Sequence, residues 1–145
     1  MAVTFTNNWK NILDKVQSTL RDEFGGTAPV FIGRADESAG NQYFRLAPIG
    51  SELTELASHS EQREFTINIF FYFDSQEIGK KEYDHILRIV SRAEALMHDN
   101  VTLTLADSTT LFNCRMENCA LDVGEPEDPY IVQWEYLCSH VGNTA

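Results

Sequence analysis

Three cysteines and a histidine are the first residues of this chain whose types and spacing could do chemistry. Cys138-Ser139-His140 follows Cys114 and Cys119, and thiolate with imidazole is the usual ligand set of tetrahedral zinc. The Cys114–Cys119 spacing is wider than that of a zinc knuckle. On a regular strand these two cysteines also differ in parity, so their side chains would leave opposite faces. An odd count of cysteines fits reduced, buried thiols better than a disulfide frame. Asp122, Glu125, Glu127 and Asp128 form the densest acidic cluster. Calcium takes several carboxylate oxygens, but Gly124-Glu125-Pro126-Glu127-Asp128-Pro129 reads equally well as a solvated turn stiffened by two prolines, and that reading is preferred. His59, His85 and His98 stand singly, on what read as loop or helix surfaces. Arg34 and Arg45 bracket an expected first hairpin, where ion pairs with nearby acids are the plain account.

Gly79-Lys80-Lys81 has neither the upstream glycine nor the following Ser/Thr of a phosphate-binding loop. The sequence holds no dinucleotide fingerprint, nucleophile elbow or His-Glu-x-x-His zinc helix. The expectation is a protein that is not an enzyme, with no metal and no cofactor.

The 145 residues fit one domain spanning 1–145, since two separate cores would each be too small. Eleven Lys+Arg against 22 Asp+Glu give a formal net charge of −11. A surface that acidic repels phosphate backbones and anionic membranes. The opening MAVTFTNNWK lacks the apolar stretch of an export signal, and no apolar run approaches the ~18 residues needed to cross a bilayer. Folding in a cytoplasm is the expectation.

The elements that must position these residues follow from periodicity. Thr6-Asn7-Asn8 supplies capping side chains, and Trp9, Ile12, Leu13, Val16, Leu20 and Phe24 then lie on one face of a helix. Gly25-Gly26 would end it in left-handed geometry. Pro29–Gly33 reads as a strand, and Ala35–Asn41 as an exposed hairpin-like loop. Gln42–Ile49 reads as a second strand whose end Pro48 demotes to a sheet edge or loop. Gly50–Ser60, polar apart from Leu53 and Leu56, fits a loop or a ragged helical turn.

The strongest strand runs from about Arg63 to Phe73. Phe65, Ile67, Ile69, Phe71 and Phe73 share one face, while the other begins polar at Thr66 and Asn68 and turns aromatic at Phe70 and Tyr72. An uncovered Phe70–Tyr72 patch is an association hazard, so a neighbouring subunit is the expected cover. A second helix starts near Lys80, its stripe being Tyr83, Ile86, Leu87, Val90, Ala93 and Met97; Arg88, Arg92 and Glu94 lie off it. Strands are expected at Val101–Leu105, Leu111–Val123 and Tyr130–Val141. The last puts Tyr130, Val132, Trp134, Tyr136 and Cys138 on one face, with Ile131, Gln133, Glu135 and Leu137 on the other. The order α-β-β-β-α-β-β-β implies an α+β two-layer sandwich, a mostly antiparallel sheet with two amphipathic helices on one face. The bare face is left for assembly.

In element order, length and hydrophobic pattern the chain resembles the tail terminator and tail completion (neck) proteins of long-tailed bacteriophages. The resemblance is carried by Arg63–Tyr72 followed by the helix Tyr83–Met97, by the opening amphipathic helix, and by the closing strand Tyr130–Tyr136 with its short polar tail. It implies a virion protein forming a hexameric ring at the head-proximal end of the tail tube. The ring ends tube polymerisation and joins the tube protein to a neck or head-completion protein. Genomic DNA passes through without specific binding, and there is no catalysis, cofactor or membrane. Phe70 and Tyr72 are then candidates for the subunit contact, and Asp36, Glu37, Asp122, Glu125, Glu127 and Asp128 for channel or stacking loops. Another neck, head-closure or baseplate component, a small-molecule or metal-binding domain, and an unrecognised hydrolase or transferase stay open at this level.

Overall fold

The computed structural model describes residues 5–33, 40–74, 80–122 and 130–143. Two helices, α1 (Asn8–Phe24) and α2 (Lys80–Asp99), accompany six strands: β1 (Val30–Ile32), β2 (Gln42–Leu56), β3 (Ser60–Phe73), β4 (Leu103–Thr104), β5 (Thr110–Asp122) and β6 (Tyr130–Asn143). The strands form one curled sheet in the order β1-β2-β3-β6-β5-β4. The α+β class and the element order are those expected.

Local contacts mark both ends of α1 and the end of α2. The Asn7 side chain accepts from the Lys10 backbone N–H at 3.1 Å, satisfying one orphan amide of α1. Gly25 does not take the expected left-handed cap; its backbone stays right-handed, at φ −57° and ψ −28°. Glycine is needed there for close approach instead, since a Cβ would sit 2.5 Å from the Arg21 carbonyl oxygen. At the end of α2, Asn100 Nδ2 donates to the Leu96 carbonyl at 2.8 Å, so this residue is the stop its type implied.

The core forms on one side of the sheet. Ile12, Leu13, Val16, Leu20 and Phe24 of α1 pack with Ile86, Ile89, Ala93 and Met97 of α2 over Phe44, Leu46, Ile67, Ile69, Phe71, Val132, Trp134 and Tyr136. The α2 stripe is rotated from the expected one: Ile89 is buried and Leu87 is 47% exposed. Apolar residues at 86, 87, 89 and 90 offer two overlapping arcs, and packing on the sheet selects between them. Aromatic rings run through this layer, with centroids 4.9 Å apart for Phe24–Phe44, 5.0 Å for Phe44–Phe71 and 6.3 Å for Phe44–Trp134. Trp134 Nε1 donates to Glu94 Oε1 at 3.2 Å, so a carboxylate off the stripe still serves the core. Arg92 stacks 4.7 Å over the Phe24 ring and pairs with Glu23 at 2.7 Å, tying α2 to α1.

Three strand details depart from the sequence reading. β1 runs parallel to β2, from Val30↔Phe44 to Ile32↔Leu46, so the intervening segment is no hairpin. A three-residue strand is short enough for a nine-residue connection to span back to its start. β2 does not stop at Pro48. A register shift between Pro48 and Gly50 absorbs the missing amide, and pairing continues to Leu56↔Glu61. Gly50–Leu56 is thus paired strand rather than a loop or helical turn, forming with Glu61–Thr66 a β2–β3 ribbon whose other edge is held by β6. Finally, β5 carries register shifts between Phe112 and Arg115 and between Met116 and Asn118, with Asn113 at φ 54°. Asparagine tolerates that left-handed conformation better than most residues.

A polar bridge closes the β4–β5 turn onto β6. The Thr109 hydroxyl lies 2.8 Å from His140 Nε2 and also bonds the Asp107 carboxylate. A carboxylate only accepts, so the hydroxyl donates to Asp107 and accepts from an Nε2–H of His140. His140 is buried, and burial holds its pKa below the ordinary value, with Asp107 acting in the opposite direction. A histidine so depressed takes its proton more readily in the unfolded chain. Its contribution is complete above about pH 6.5 and is lost as pH falls through the lower folded value. Asp107, held below the usual carboxylate value chiefly by the Thr109 hydrogen bond, adds a loss of the same sign below about pH 4.

Two measurements follow. Trp134→Ala should reduce the unfolding free energy by about 3–5 kcal/mol in urea titration, and Trp134→Phe by less, because the second keeps most of the buried ring. Wild-type urea midpoints should fall between about pH 7 and about pH 5, and His140→Gln should flatten that slope; equal slopes would remove the account of His140.

Candidate assembly interface

The face turned away from the helices carries a compact aromatic group. Parity on β2 and β3 sends Tyr43, Arg45, Phe70 and Tyr72 to this side, and register sets Tyr43 beside Tyr72 and Arg45 beside Phe70. Phe31 of β1 stands beside Arg45, and Ile131 of β6 beside Tyr72. The Tyr43 and Tyr72 rings stack at 4.8 Å and 17°, Phe31 meets Tyr43 edge-on at 6.0 Å, and Phe70 lies 6.1 Å from Tyr72. The Arg45 guanidinium sits 4.8 Å over Phe70 and 5.6 Å from the Tyr72 centroid. Burial first, then the neighbouring Tyr72, push the Tyr43 phenol up, with Arg45 acting against them.

Phe70 and Tyr72 are therefore where parity placed them, together and half-buried. The sequence reading missed Arg45 as their lid, along with Phe31 and Tyr43 as the rest of the group. A signal was present: Arg45 is the single charge in the otherwise apolar or aromatic run Tyr43–Ile49, and it shares parity with Tyr43. Each aromatic pair contributes about 0.5–1.5 kcal/mol beyond area burial. A cation over a ring at a partly solvated site adds about 0.5–1 kcal/mol. The group is preformed rather than awaiting a partner to order it.

The rest of this face is polar. Asn118 Nδ2 donates to Glu135 at 3.1 Å, and Arg115 pairs with Glu117 at 2.9 Å and with Glu64 at 3.4 Å. Leu137 and Ser139 belong to this side by parity yet are buried, because the sheet curls. Along the β2–β3 ribbon Ile49, Leu53 and Leu56 are exposed, while Trp9 of α1 meets its Phe65 edge-on at 4.8 Å.

The other candidates for chemistry are separated by the fold. The β5 register shifts restore parity, so Cys114 and Cys119 both fall on the helix side rather than on opposite faces. Cys114 is buried and Cys119 is exposed. Cys138 is buried near Cys114, and burial raises both thiols, Cys138 far above its usual value. Among the described residues no group of three or more His, Cys, Asp or Glu is placed to hold a metal ion. His85 bonds Gln42 at 2.9 Å and His98 accepts from the Met116 amide at 3.3 Å, so both tie α2 to the sheet. In the His140 bridge the hydroxyl lies between carboxylate and imidazole. Its proton is directed at Asp107, the reverse of an activated nucleophile. Asp122 is the last residue of β5, opposite Ile131. Asp36, Glu37, Glu125, Glu127 and Asp128 lie outside the described residues. An open cleft of about 480 Å³ between the start of α1 and the ribbon is lined by Phe5, Trp9, Ser51, Glu61, Arg63 and Phe65, and the aromatic group takes no part in it.

Charge is distributed unevenly between the layers. The helices hold seven of the eleven Lys+Arg and seven of the 22 Asp+Glu, so they are formally neutral. The whole −11 resides in the strands and connections. No helix among the described residues is long and apolar enough to cross a membrane.

No protein-family model matches the sequence, and no curated protein matches it. Solved structures do share its fold. A chain from the virion of a native gene transfer agent particle superposes with a TM-score of 0.63 at 16% identity, over 95% of this chain and 100% of that one. A second solved protein, of no stated function, superposes with a TM-score of 0.59 at 15% identity, over 94% and 97%. At these identities the likeness is one of fold, and it spans nearly the full length of both partners.

Proposed function

We propose that this chain is a structural virion protein of a phage-type particle. Its copies join into a hexameric ring at the head-proximal end of a tail tube, end polymerisation of the tube and link it to a neck or head-completion protein. The observation that carries the reading is the end-to-end likeness in fold to a chain of a gene transfer agent virion. The two-sided sheet supports it. One face is consumed by the helices and makes the monomer, while the other presents a preformed aromatic group around Phe70 and Tyr72. A repeated head-to-tail contact between unlike surfaces closes into a ring when the rotation between copies permits.

The charge distribution supports passage of DNA through such a ring. Affinity for a phosphate backbone rises with the Lys/Arg that neutralise it, and this chain confines its excess of acids to the sheet and its connections. Asp36, Glu37, Asp122, Glu125, Glu127 and Asp128 are proposed as channel or stacking positions in that arrangement. The proposed protein acts by geometry, without catalysis or cofactor, and its site is the virion.

Phe70→Asp places a charge in the centre of the aromatic group and should abolish the higher oligomer, read by native mass measurement and negative-stain imaging, while leaving the circular dichroism spectrum unchanged. Assembly identical to wild type would remove Phe70 from the contact. A wild-type protein that stays monomeric at every concentration would remove the ring.

A further inference from the structure

Arg45 differs from the other described cations of the sheet. Arg63 pairs with Glu61 at 3.3 Å, and Arg115 pairs with both Glu117 and Glu64. Arg45 has no carboxylate partner among the described residues, in a chain with twice as many acids as bases. Its guanidinium rests on Phe70 and Tyr72, and its Nε is buried without a hydrogen-bond partner. A planar guanidinium held against rings is preorganised to receive a carboxylate through its outer N–H groups.

The complementary surface is on the same molecule and out of its own reach. Glu52 and Glu55 are exposed on the β2–β3 ribbon and form no ion pair among the described residues. Register sets Glu52 directly beside Glu64, a like-charge neighbour that disfavours leaving it alone. Arg45 and Glu55 belong to one continuous strand, ten residues apart. At about 3.3 Å per residue that is roughly 30 Å, so they cannot meet within one chain. A domain of this size has a radius of gyration of about 15 Å and is therefore roughly 35–40 Å across. The separation of ribbon and aromatic group is thus close to the spacing of two copies in contact.

We infer that the partner of the Arg45 group is a second copy of this chain. Glu52 and Glu55 on the ribbon of one copy, which share the sheet face of Arg45, meet the Arg45 group of its neighbour. The inference rests on the assembly reading above and names the contact that reading leaves open.

The test is a charge exchange. Arg45→Glu alone, and Glu52→Arg with Glu55→Arg, should each raise the concentration for half-assembly by at least about tenfold. All three substitutions in one chain should bring it back to within about threefold of wild type. Circular dichroism and melting temperature establish that each variant is folded, and restoration in the triple variant excludes a folding defect as the cause. If Arg45→Glu assembles as wild type, or if the triple variant remains as impaired as its parents, the inference is overturned. In that case loss of assembly in Phe70→Asp still upholds the ring contact. If wild type does not assemble at all, both readings fall together.

Discussion

β3 and β6 pair over fourteen residues, from Ser60↔Asn143 to Phe73↔Tyr130, without a slip in register. Side chains alternate on each strand, so this ladder fixes every neighbour relation on both faces of the sheet at once. It sets Ile69 beside Trp134 and Ile67 beside Tyr136 under the helices. By the same step it sets Tyr72 beside Ile131 and Phe70 beside Gln133 on the far side. A displacement of one residue would move Trp134 into water and the polar row into the core. The buried Trp134 and Tyr136 therefore enforce the geometry of a surface they do not touch. The remaining strands are less regular: β2 and β5 each carry two register shifts, and β1 and β4 hold three and two residues.

Much of this was readable from the chain because alternation leaves a plain signature. The runs Phe65–Phe73 and Tyr130–Cys138 declare their faces residue by residue, and Trp9–Phe24 declares its helix. What escaped was set by contacts distant in sequence. Apolar residues at 86, 87, 89 and 90 fit two arcs, and only the sheet beneath decides for Ile89 over Leu87. Pro48 argued for a strand end, but a register shift beside it allows pairing to resume. The direction of β1 depends on where a nine-residue connection returns, which local pattern does not encode. The cysteine argument failed for a related reason: parity holds only on a regular strand, and β5 is not one.

The candidate interface was half legible. Phe70 and Tyr72 showed themselves as apolar residues on the wrong parity of the strongest strand. Arg45 did not, since an arginine on an expected edge strand reads as a surface ion pair until its neighbours are known. Across strands it is a lid on two rings. Lid and rings together make a surface that is neither an apolar patch inviting aggregation nor a solvated polar face. The uneven charge adds a second distinction: the helices are formally neutral, while the strands and connections together carry the whole excess of acids.

The far end of the β2–β3 ribbon, Leu53–Leu56 against Glu61–Arg63, adds no residue to the buried cluster. Its length is accordingly decoupled from the energetics of the monomer. Adding one residue pair beyond Leu56 and Ser60 preserves parity and leaves the β3–β6 register untouched, while lengthening the ribbon by about 7 Å. One core can thus carry hairpins of different length at this end, the way a carpenter keeps a joint and changes the length of the tenon.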